Sequence, residues 1–436
     1  MKNILNIKSA LLFASLLSFF ACEIEDLPNP NGPSIEGVLA DATKSQLQTI
    51  VTGSEDALRG DISFYYDVVS IIGREYYFFT GSDPRYTGEV LGKGDAMLDN
   101  AGFYGTRPYF GRYRTVKNLN VLIEAATNST TITEEELQGY LGFAKTLQAY
   151  ELHLVNNLQF QNGIRIDVAD IENLGGFETY EGALARILSL LDEANDNLAA
   201  AGSSFPFSLS SGFTNFDEPS TFAGFNRALS ARIALYQGND ADAANRVAAS
   251  FYDADEDVDF GPGRFYSTSG GDVANNIFRA PGQSDAIIVH PSFLMDAEAG
   301  DSRLDKALIR GDTLALDGLS GTHDVWVFRT LEDQVPFINN EELALILAEA
   351  NIDSDVNAAV TAINWVRNAA GLDDYSGATD SESLINEVLN QRRYSLFGLG
   401  HRWVDMRRYD KLGELPIDRD GDDVWVQFPR PITEEE

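Results

Sequence analysis

The chain has 436 residues, with 67 acidic side chains against 32 basic ones, which gives a formal net charge of −35. Such a charge repels phosphate backbones and anionic lipid headgroups, so we expect no nucleic-acid partner, whereas neutral polymers such as glycans remain compatible with it. Apolar residues make up 44% of the sequence, which is enough for a core, and the single cysteine excludes an internal disulfide.

The N-terminus has the charge order of an export signal. Lys2 and Lys8 provide a positive start, and residues 10–21 form an apolar run too short to span a bilayer as a helix. The run ends at Cys22. A buried structural thiol is the alternative for a lone cysteine, but this position is the one that is acylated in bacterial lipoproteins. The sequence therefore predicts a signal peptide at residues 1–21 and a lipid anchor in the membrane at Cys22.

An acidic stretch rich in proline, glycine and asparagine follows at residues 22–36 and contains Pro28, Pro30 and Pro33. A segment of this composition does not pack, so we expect it to act as a tether between the lipid and the fold. The remaining residues, 37–436, are predicted to form a single domain, and they contain no second apolar run long enough to span a membrane.

Helical periodicity dominates this domain. In residues 141–158 apolar side chains recur at spacings of three and four, which places them on one face of a helix. Glycines that follow such runs, at Gly238 and Gly371, are typical helix stops. Helices are predicted over residues 141–158, 180–198, 231–238, 239–250, 345–351, 358–370 and 384–396.

Successive helices are predicted to form antiparallel pairs with small residues where they cross. Ala231 is paired with Ala243, and Ala348 with Ala359, since alanine allows two backbones to approach closely. The pattern predicts a mainly all-α fold built on a tetratricopeptide-like helical-repeat scaffold. The repeats are predicted at about residues 113–250 and 341–410.

Long irregular insertions separate the repeats, at about residues 80–107 and 251–330, and they are rich in glycine, aromatic and acidic residues. Short strands are predicted at Val325–Phe328 and Val424–Phe428. Structured loops on a helical scaffold are a common place for binding sites, so these insertions are where we look for ligand contacts.

Several segments share their order and spacing with one known family. The most specific is GLGHRWVDMRRY, in which Gly400, Arg402, Trp403, Asp405 and Arg408 match the family pattern. The other segments are Tyr109–Ala125, Ala144–Val155, Pro336–Ala350, Ile363–Leu372 and Phe428–Glu434. Together they resemble the SusD/RagB family of outer-membrane nutrient-binding lipoproteins of the Bacteroidota. The chain departs from the family at Gln391, Ser395 and Leu399, where acidic residues are frequent.

The resemblance carries expectations for fold, partners and location. It implies a tetratricopeptide-like scaffold at the cell surface, anchored by its lipid in the outer membrane. It also implies that the protein docks on a SusC-like TonB-dependent transporter and acts as its ligand-binding lid. The residues that contact ligand differ among members, so the resemblance carries over no binding site.

Motifs for catalysis are missing from the sequence. The histidines His153, His290, His323 and His401 lie far apart without HExxH spacing, and no GxSxG motif is present. Residues 88–94 are one residue short of a phosphate loop and lack its hydroxyl residue. Because the chain has 67 carboxylates, many pairs of Asp and Glu are expected by chance, so such a pair in the sequence does not distinguish a glycosidase from a protein without that activity. We therefore predict a protein that is not an enzyme.

Two acidic runs could hold calcium. Asp418, Asp420 and Asp422 surround Gly421 as in part of an EF-hand loop, although the terminal bidentate glutamate is missing, and acidic residues alternate over 253–259. A solvated acidic turn is the alternative for both, given how acidic the chain is. No cofactor is required by the expected function, and calcium is the only one that the sequence suggests.

Glycan binding requires aromatic faces for stacking on sugar rings, flanked by amide, guanidinium or carboxylate groups for the hydroxyls. Packing of the loops on the scaffold is the alternative role for every aromatic residue there, and Arg74, Tyr76 and Tyr77 could serve either role. The candidates outside the helical periodicity are Arg85, Tyr86, Phe103, Tyr104, Tyr266 and Trp326.

Two functions remain open from the sequence. The first is capture of an oligosaccharide or related nutrient oligomer for a transporter, without changing it. The second is a protein-interaction scaffold whose repeats bind a peptide or an assembly partner. An exposed aromatic platform on the insertions would favour the first, and an apolar concave groove on the repeats would favour the second.

Overall fold

The structure is a computed structural model that describes residues 35–434. The predicted signal peptide at residues 1–21 and the predicted lipidation site, Cys22, lie outside the described residues. The predicted tether lies outside them too, except for Ile35 and Glu36, which begin the first helix.

Helices form most of the described chain, and several start at side-chain caps. Thr133 and Glu136 form a reciprocal capping box at the start of the longest repeat helix, and Thr179 caps the next one. The helices are α1 Ile35–Ala40, α2 Lys44–Ala57, α3 Ile62–Ile72, α4 Phe103–Asn128, α5 Glu134–Gln159, α6 Tyr180–Ala199, α7 Pro219–Tyr236, α8 Asp240–Ala248, α9 Pro291–Met295, α10 Asn340–Asn351, α11 Val356–Ala369, α12 Ser381–Ser395 and α13 Arg402–Arg408. Short 3-10 turns lie at Phe160–Asn162, Ser211–Phe213, Ser302–Lys306, Leu412–Glu414 and Ile432–Glu434.

The helices pack in chain order, as expected for helical repeats. From α4 to α8 each helix packs on the next, and α10 packs on α8 as well as on α11, which joins the two groups of repeats. Ala231 and Ala243 are fully buried, and so are Ala348 and Ala359, which share a small core cluster. The prediction of a mainly helical, tetratricopeptide-like fold is therefore confirmed.

One four-stranded antiparallel sheet combines three strands of the second insertion with β1, which follows α3, in the strand order β1–β5–β7–β6. Asp317 and Gly318 connect β6 to β7 with φ angles of 55° and 83°, as a two-residue type I′ hairpin turn requires. Two further ladders pair β2 with β3 and β4 with β8. The strands are β1 Tyr76–Phe79, β2 Ile164–Arg165, β3 Phe177–Glu178, β4 Gly263–Arg264, β5 Ala286–Val289, β6 Ala307–Leu316, β7 Leu319–Val325 and β8 Val335–Pro336.

Both strands predicted from the sequence need correction. β7 ends at Val325, so the strand predicted at Val325–Phe328 exists only at its first residue. Residues 424–428 form no strand. Isolated hydrogen bonds connect this segment to other parts of the fold. The Phe428 N–H donates to the carbonyl of Leu158, and the indole Nε1 of Trp425 donates to the carbonyl of Glu89. Its alternating apolar residues reflect packing on the scaffold.

One hydrophobic core runs through the fold, from Val38 near the described N-terminus to Phe428 near the C-terminus. Helix α3 lies at its centre, because nearly every side chain of the helix is buried. Within residues 35–434, the helices are all too short or too polar to serve as a membrane span. The sheet and the β4–β8 ladder lie against this scaffold, where they shape the clefts described next.

Candidate ligand-binding clefts

Trp326 lies at an open cleft of about 660 Å³ beside the β4–β8 ladder, which we call the Trp326 cleft. This volume falls within the range of small-molecule and cofactor sites. Its lining combines an aromatic ring with amide, carboxylate and cationic side chains. The polar and aromatic lining residues are Asp259, Lys306, Trp326, Phe328, Arg329, Asp333, Gln334, Asn339, Ser395 and Phe397.

The position of Trp326 is set just beyond the end of β7. Its backbone N–H donates to the carbonyl of Lys306 at 2.7 Å, which extends the pairing of the hairpin by one bond. Its half-buried ring lies with its centroid 6.2 Å from that of Phe278, at an interplanar angle of 58°. One side of the indole is therefore supported by protein while the residue lines the cleft.

Lys306 places an ammonium group against the end of a helix. Its Nζ donates to the carbonyl oxygens of Tyr394 and Ser395, at 2.9 and 2.6 Å, in the last turn of α12. A cation at this end of a helix is favourable because the helix dipole is negative there. Burial, more than any neighbouring charge, lowers the pKa of Lys306.

The rim segment 329–333 is fixed by its own hydrogen bonds. The Asp333 carboxylate accepts from the backbone N–H groups of Arg329 and Thr330 and from the Thr330 hydroxyl. Burial alone would raise the pKa of Asp333, but the hydrogen bonds from Thr330 and Arg329 outweigh it and lower the pKa. The side chains of Arg329 and Gln334 are exposed beside this turn. A supported aromatic ring thus lies near a guanidinium, an amide and an ammonium group.

The other predicted ligand residues occupy different surroundings. Arg85 pairs with Asp83 at 2.6 Å, and its guanidinium carbon lies 4.5 Å from the centroid of the Phe103 ring. Tyr86 packs on the same Phe103 ring, and Tyr104 donates a hydrogen bond from its hydroxyl to Glu89. The structure thus brings Arg85, Tyr86, Phe103 and Tyr104 together where residues 80–102 meet the start of α4, away from Trp326.

Exposure separates these candidates further. Tyr104 is 0% exposed, Tyr86 5% and Tyr266 1%, so none of these rings offers a free face to a sugar in this arrangement. Phe103 is half-buried, and the Arg85 side chain is 37% exposed. Loop-to-scaffold packing describes the surroundings of the three tyrosines, and we build no site on them.

The predicted calcium residues do not converge. Asp418 accepts from His290 Nε2 at 3.0 Å, the buried Asp422 is paired with Arg419 at 2.9 Å, and Asp420 is exposed. Across residues 35–434, no group of three or more acidic, histidine or cysteine side chains is placed to hold a metal ion. We derive no function from a metal at this turn.

The structure brings together Ser292, His290 and Asp418, a group of three polar side chains that the sequence analysis does not identify. Nδ1 of His290 is 2.8 Å from Ser292 Oγ, and Nε2 of His290 faces Asp418. The arrangement resembles a catalytic triad, but Nδ1 accepts from the backbone N–H of Ser292, and Arg393 donates to Ser292 Oγ at 2.7 Å. Ser292 is 6% exposed and His290 3%. These contacts cap α9 rather than activate a nucleophile.

A family model described as "SusD family" matches residues 322–427, a segment that starts in β7 and includes Trp326, the cleft rim and helices α10 to α13. Among curated proteins, none matches the sequence significantly.

Solved structures show the same fold over nearly the whole chain. A SusD superfamily protein from Bacteroides vulgatus has a TM-score of 0.69 at 15% identity, and covers 90% of this chain and 97% of its own. One from Parabacteroides distasonis has a TM-score of 0.68 at 14% identity, with 89% and 96% covered. Surface glycan-binding protein A from Bacteroides thetaiotaomicron, solved in complex with laminarihexaose, has a TM-score of 0.64 at 13% identity, with 90% and 97% covered. The resemblance to the SusD/RagB family stated from the sequence is confirmed.

Proposed function

We propose that the protein binds oligosaccharides in the Trp326 cleft and passes them to a TonB-dependent outer-membrane transporter. The SusD superfamily fold and the SusD family match in the C-terminal third of the chain support this proposal. The observation that carries the proposal is the Trp326 cleft itself, in which a supported indole ring lies among polar groups. We take the half-buried Trp326 ring, in the second insertion, as the aromatic platform that the capture function requires.

The chemistry of the lining fits a sugar better than a charged or purely apolar ligand. An indole face can stack on the C–H face of a pyranose ring, and exposed guanidinium and amide groups can bind its hydroxyls. Lys306 and Arg329 are balanced in formal charge by Asp259 and Asp333, so the lining offers no net attraction to an anionic or a cationic ligand. The proposal is binding without bond cleavage.

The helical repeats offer less support for a peptide-binding scaffold. A smaller cavity of about 170 Å³ lies against α4, α5 and α6, and its lining mixes apolar residues such as Val116, Leu152 and Leu190 with Gln148 and Glu193. The scaffold function would need an extended apolar groove at such a place. A small cavity of mixed lining supports it less than the Trp326 cleft supports glycan capture.

Location and partner are part of the proposal. A lipid on Cys22, outside the described residues, would hold the domain at the outer surface of the outer membrane. The acidic tether would leave the domain free to meet its transporter. Both statements rest on the sequence and on the resemblance to the SusD/RagB family.

The test is calorimetric titration of the purified full chain with a panel of plant, algal and microbial polysaccharides, with the products examined by chromatography. We expect saturable binding without cleavage, and Trp326→Ala should weaken binding in this cleft by at least about tenfold, beyond what the titration detects. Trp365→Ala is the matched control, because Trp365 is also half-buried but lies outside the cleft, with its indole bonded to the carbonyl of Ala254. Cleaved products would make the protein an enzyme, and a panel without any binder would remove the glycan assignment.

A further inference from the structure

A second and larger cleft lies beside the β4–β8 ladder, against helix α2. It measures about 740 Å³ and is lined by α2, by β4 and by the glycine-rich loop 269–272. We call it the α2 cleft. Phe213, Phe265 and Phe337 also line it, and of these Phe265 is half-buried while the other two are buried. The α2 cleft therefore has the size of a binding site, and the half-buried Phe265 is the one ring of the three that it exposes.

The rim of the α2 cleft is polar and largely held in place. Glu55 Oε1 accepts from the backbone N–H of Ser210 at 3.0 Å and from its hydroxyl at 2.8 Å. Arg59 donates to the carbonyl of Phe265 at 3.1 Å and pairs with Asp56 and Asp272. These contacts fix carboxylate and guanidinium groups at set positions around the Phe265 ring.

One polar group of this rim is left without a protein partner. Nε of Arg59 is buried and has no hydrogen-bond partner among residues 35–434, although both terminal nitrogens of the same guanidinium are bonded. Buried donors in native proteins are nearly always satisfied, so an unmatched one at the wall of a cleft calls for an acceptor from outside the chain. A water that enters from the cleft, or a sugar hydroxyl after a small movement of the Arg59 side chain, would supply that acceptor.

The charge of the rim restricts the class of ligand. Three carboxylates, those of Glu55, Asp56 and Asp272, stand against the guanidinium groups of Arg59 and of Arg264, of which Arg264 is almost fully buried. A uronic acid or a sulfated sugar would meet net repulsion there, whereas hydroxyls can bind to the three carboxylates and to Arg59. The threonine hydroxyls at Thr49 and Thr52 add further partners of the same kind.

We infer that the α2 cleft is a second binding site and that it takes a segment of a neutral oligosaccharide. The inference rests on the proposed glycan-binding function. It adds a site that the Trp326 cleft does not include, since the two clefts share no lining residue.

The chain offers a way to close the α2 cleft without touching its polar groups. Gly53 lies within α2 and lines the cleft, and a Cβ added there would meet no described atom within 4 Å. A larger residue is tolerated at such a helical position, because glycine itself disfavours the helix interior. Gly53→Trp should therefore fill the cleft in a folded protein. Gly270→Trp closes it from the opposite side, where the added Cβ is equally unobstructed.

The matched control is Gly176→Trp, an exposed glycine that lines neither cleft and whose added Cβ also meets nothing within 4 Å. Circular dichroism melting of each variant confirms that it is folded. The probes are laminarihexaose, cellohexaose and maltohexaose, with hexagalacturonate as the acidic counterpart, each titrated calorimetrically into the full chain.

We expect a neutral hexasaccharide to occupy two sites per chain, of which Gly53→Trp and Gly270→Trp abolish one and Trp326→Ala abolishes the other. Hexagalacturonate should bind at least about tenfold more weakly to the site that Gly53→Trp closes. A single site that is lost in Trp326→Ala and unchanged in both glycine variants would overturn the inference and leave the proposed function intact. A single site that is lost only in the glycine variants would support the inference and would exclude the Trp326 cleft as a binding site. Absence of binding by every probe would overturn both.

Discussion

Arg232 and Glu342 form a bidentate ion pair between α7 and α10, with Nε and Nη2 of the arginine each 2.6 Å from a carboxylate oxygen. Both side chains are almost fully buried. Burial alone would raise the pKa of Glu342, but the Arg232 guanidinium outweighs it and holds the pKa at about 2. The pair joins the two groups of helical repeats on which both clefts are built.

The first prediction concerns this pair. Arg232→Met leaves the Glu342 carboxylate buried without its bidentate partner and with only His401 Nε2, 3.8 Å away, as a paired group, so we expect a loss of up to about 3–5 kcal/mol in the free energy of unfolding. The double variant Arg232→Met/Glu342→Leu should recover part of the loss, because it removes the stranded charge. Chemical denaturation at pH 7 measures both.

Lys145→Met provides the comparison for that prediction. Lys145 pairs with Glu193 at 3.1 Å on the surface, where the loss should stay below about 1 kcal/mol. If Arg232→Met costs no more than Lys145→Met, the buried pair does not hold the repeats together.

The second prediction is a pH dependence from Glu75. This side chain is buried, and its carboxylate accepts from the Gly398 N–H at 3.1 Å. Burial raises its pKa from 4.5 to about 7. The unfolded chain therefore ionises first, so this group costs stability as the pH rises from 4.5 to 7, by about 3 kcal/mol in total. Thermal denaturation should show that Glu75→Gln gains stability relative to the wild type over this range.

Glu124→Gln, at an exposed position of α4, should show no such trend. A constant difference between Glu75→Gln and the wild type from pH 5 to pH 8 would contradict the assignment of the pH dependence to Glu75.

The third prediction concerns the rim of the Trp326 cleft. The Arg329 side chain is exposed, so Arg329→Ala should leave the melting temperature unchanged. A hydrogen bond from a charged group contributes about 1.5–3 kcal/mol, so oligosaccharide affinity should fall at least about tenfold. Arg114→Ala, at an exposed arginine of α4 outside both clefts, is the control, and equal affinities for the two variants would exclude Arg329 from the site.

The fourth prediction tests the close approach of strand β7 to its neighbour β5 within the sheet. A Cβ added at Gly321 in β7 would fall against Cγ2 of Ile288 in the neighbouring strand, so Gly321→Ala should cost about 1–3 kcal/mol of stability. Gly311 lies in the paired strand β6, and an added Cβ there meets no described atom within 4 Å. Gly311→Ala should be neutral in the same denaturation experiment, and equal losses would mean that the close approach to Ile288 is relaxed in solution.

The helices could be predicted because their evidence is local. Apolar spacing and the glycine stops at Gly238 and Gly371 give nearly the observed ends of α7 and α11. The β6–β7 hairpin was also within reach, since Asp317 and Gly318 form a typical hairpin turn between alternating residues. It was missed because the whole segment was assigned to an irregular insertion.

The clefts are harder to predict, because they depend on tertiary contacts. Tyr104 and Trp326 are both aromatic residues in or beside loops, yet one is fully buried and the other lines a cleft. No local pattern distinguishes them. The α2 cleft combines α2 with β4 and residues 269–272. About 200 residues of sequence separate α2 from the other two segments, so the residues of the cleft could not be grouped from the sequence.

The β4–β8 ladder has a consequence for how the two clefts work together. Gly263 and Arg264 of β4 line the α2 cleft, whereas Pro336 of β8 lines the Trp326 cleft. Gln334 extends this connection, because it lines the Trp326 cleft and donates from Nε2 to the carbonyl of Gly212, next to the other cleft. If both clefts bind glycan as proposed, a ligand that shifted this ladder on one side would change the shape available on the other. By thermodynamic linkage that effect would be reciprocal, so each bound segment would alter the affinity for the other by the same factor.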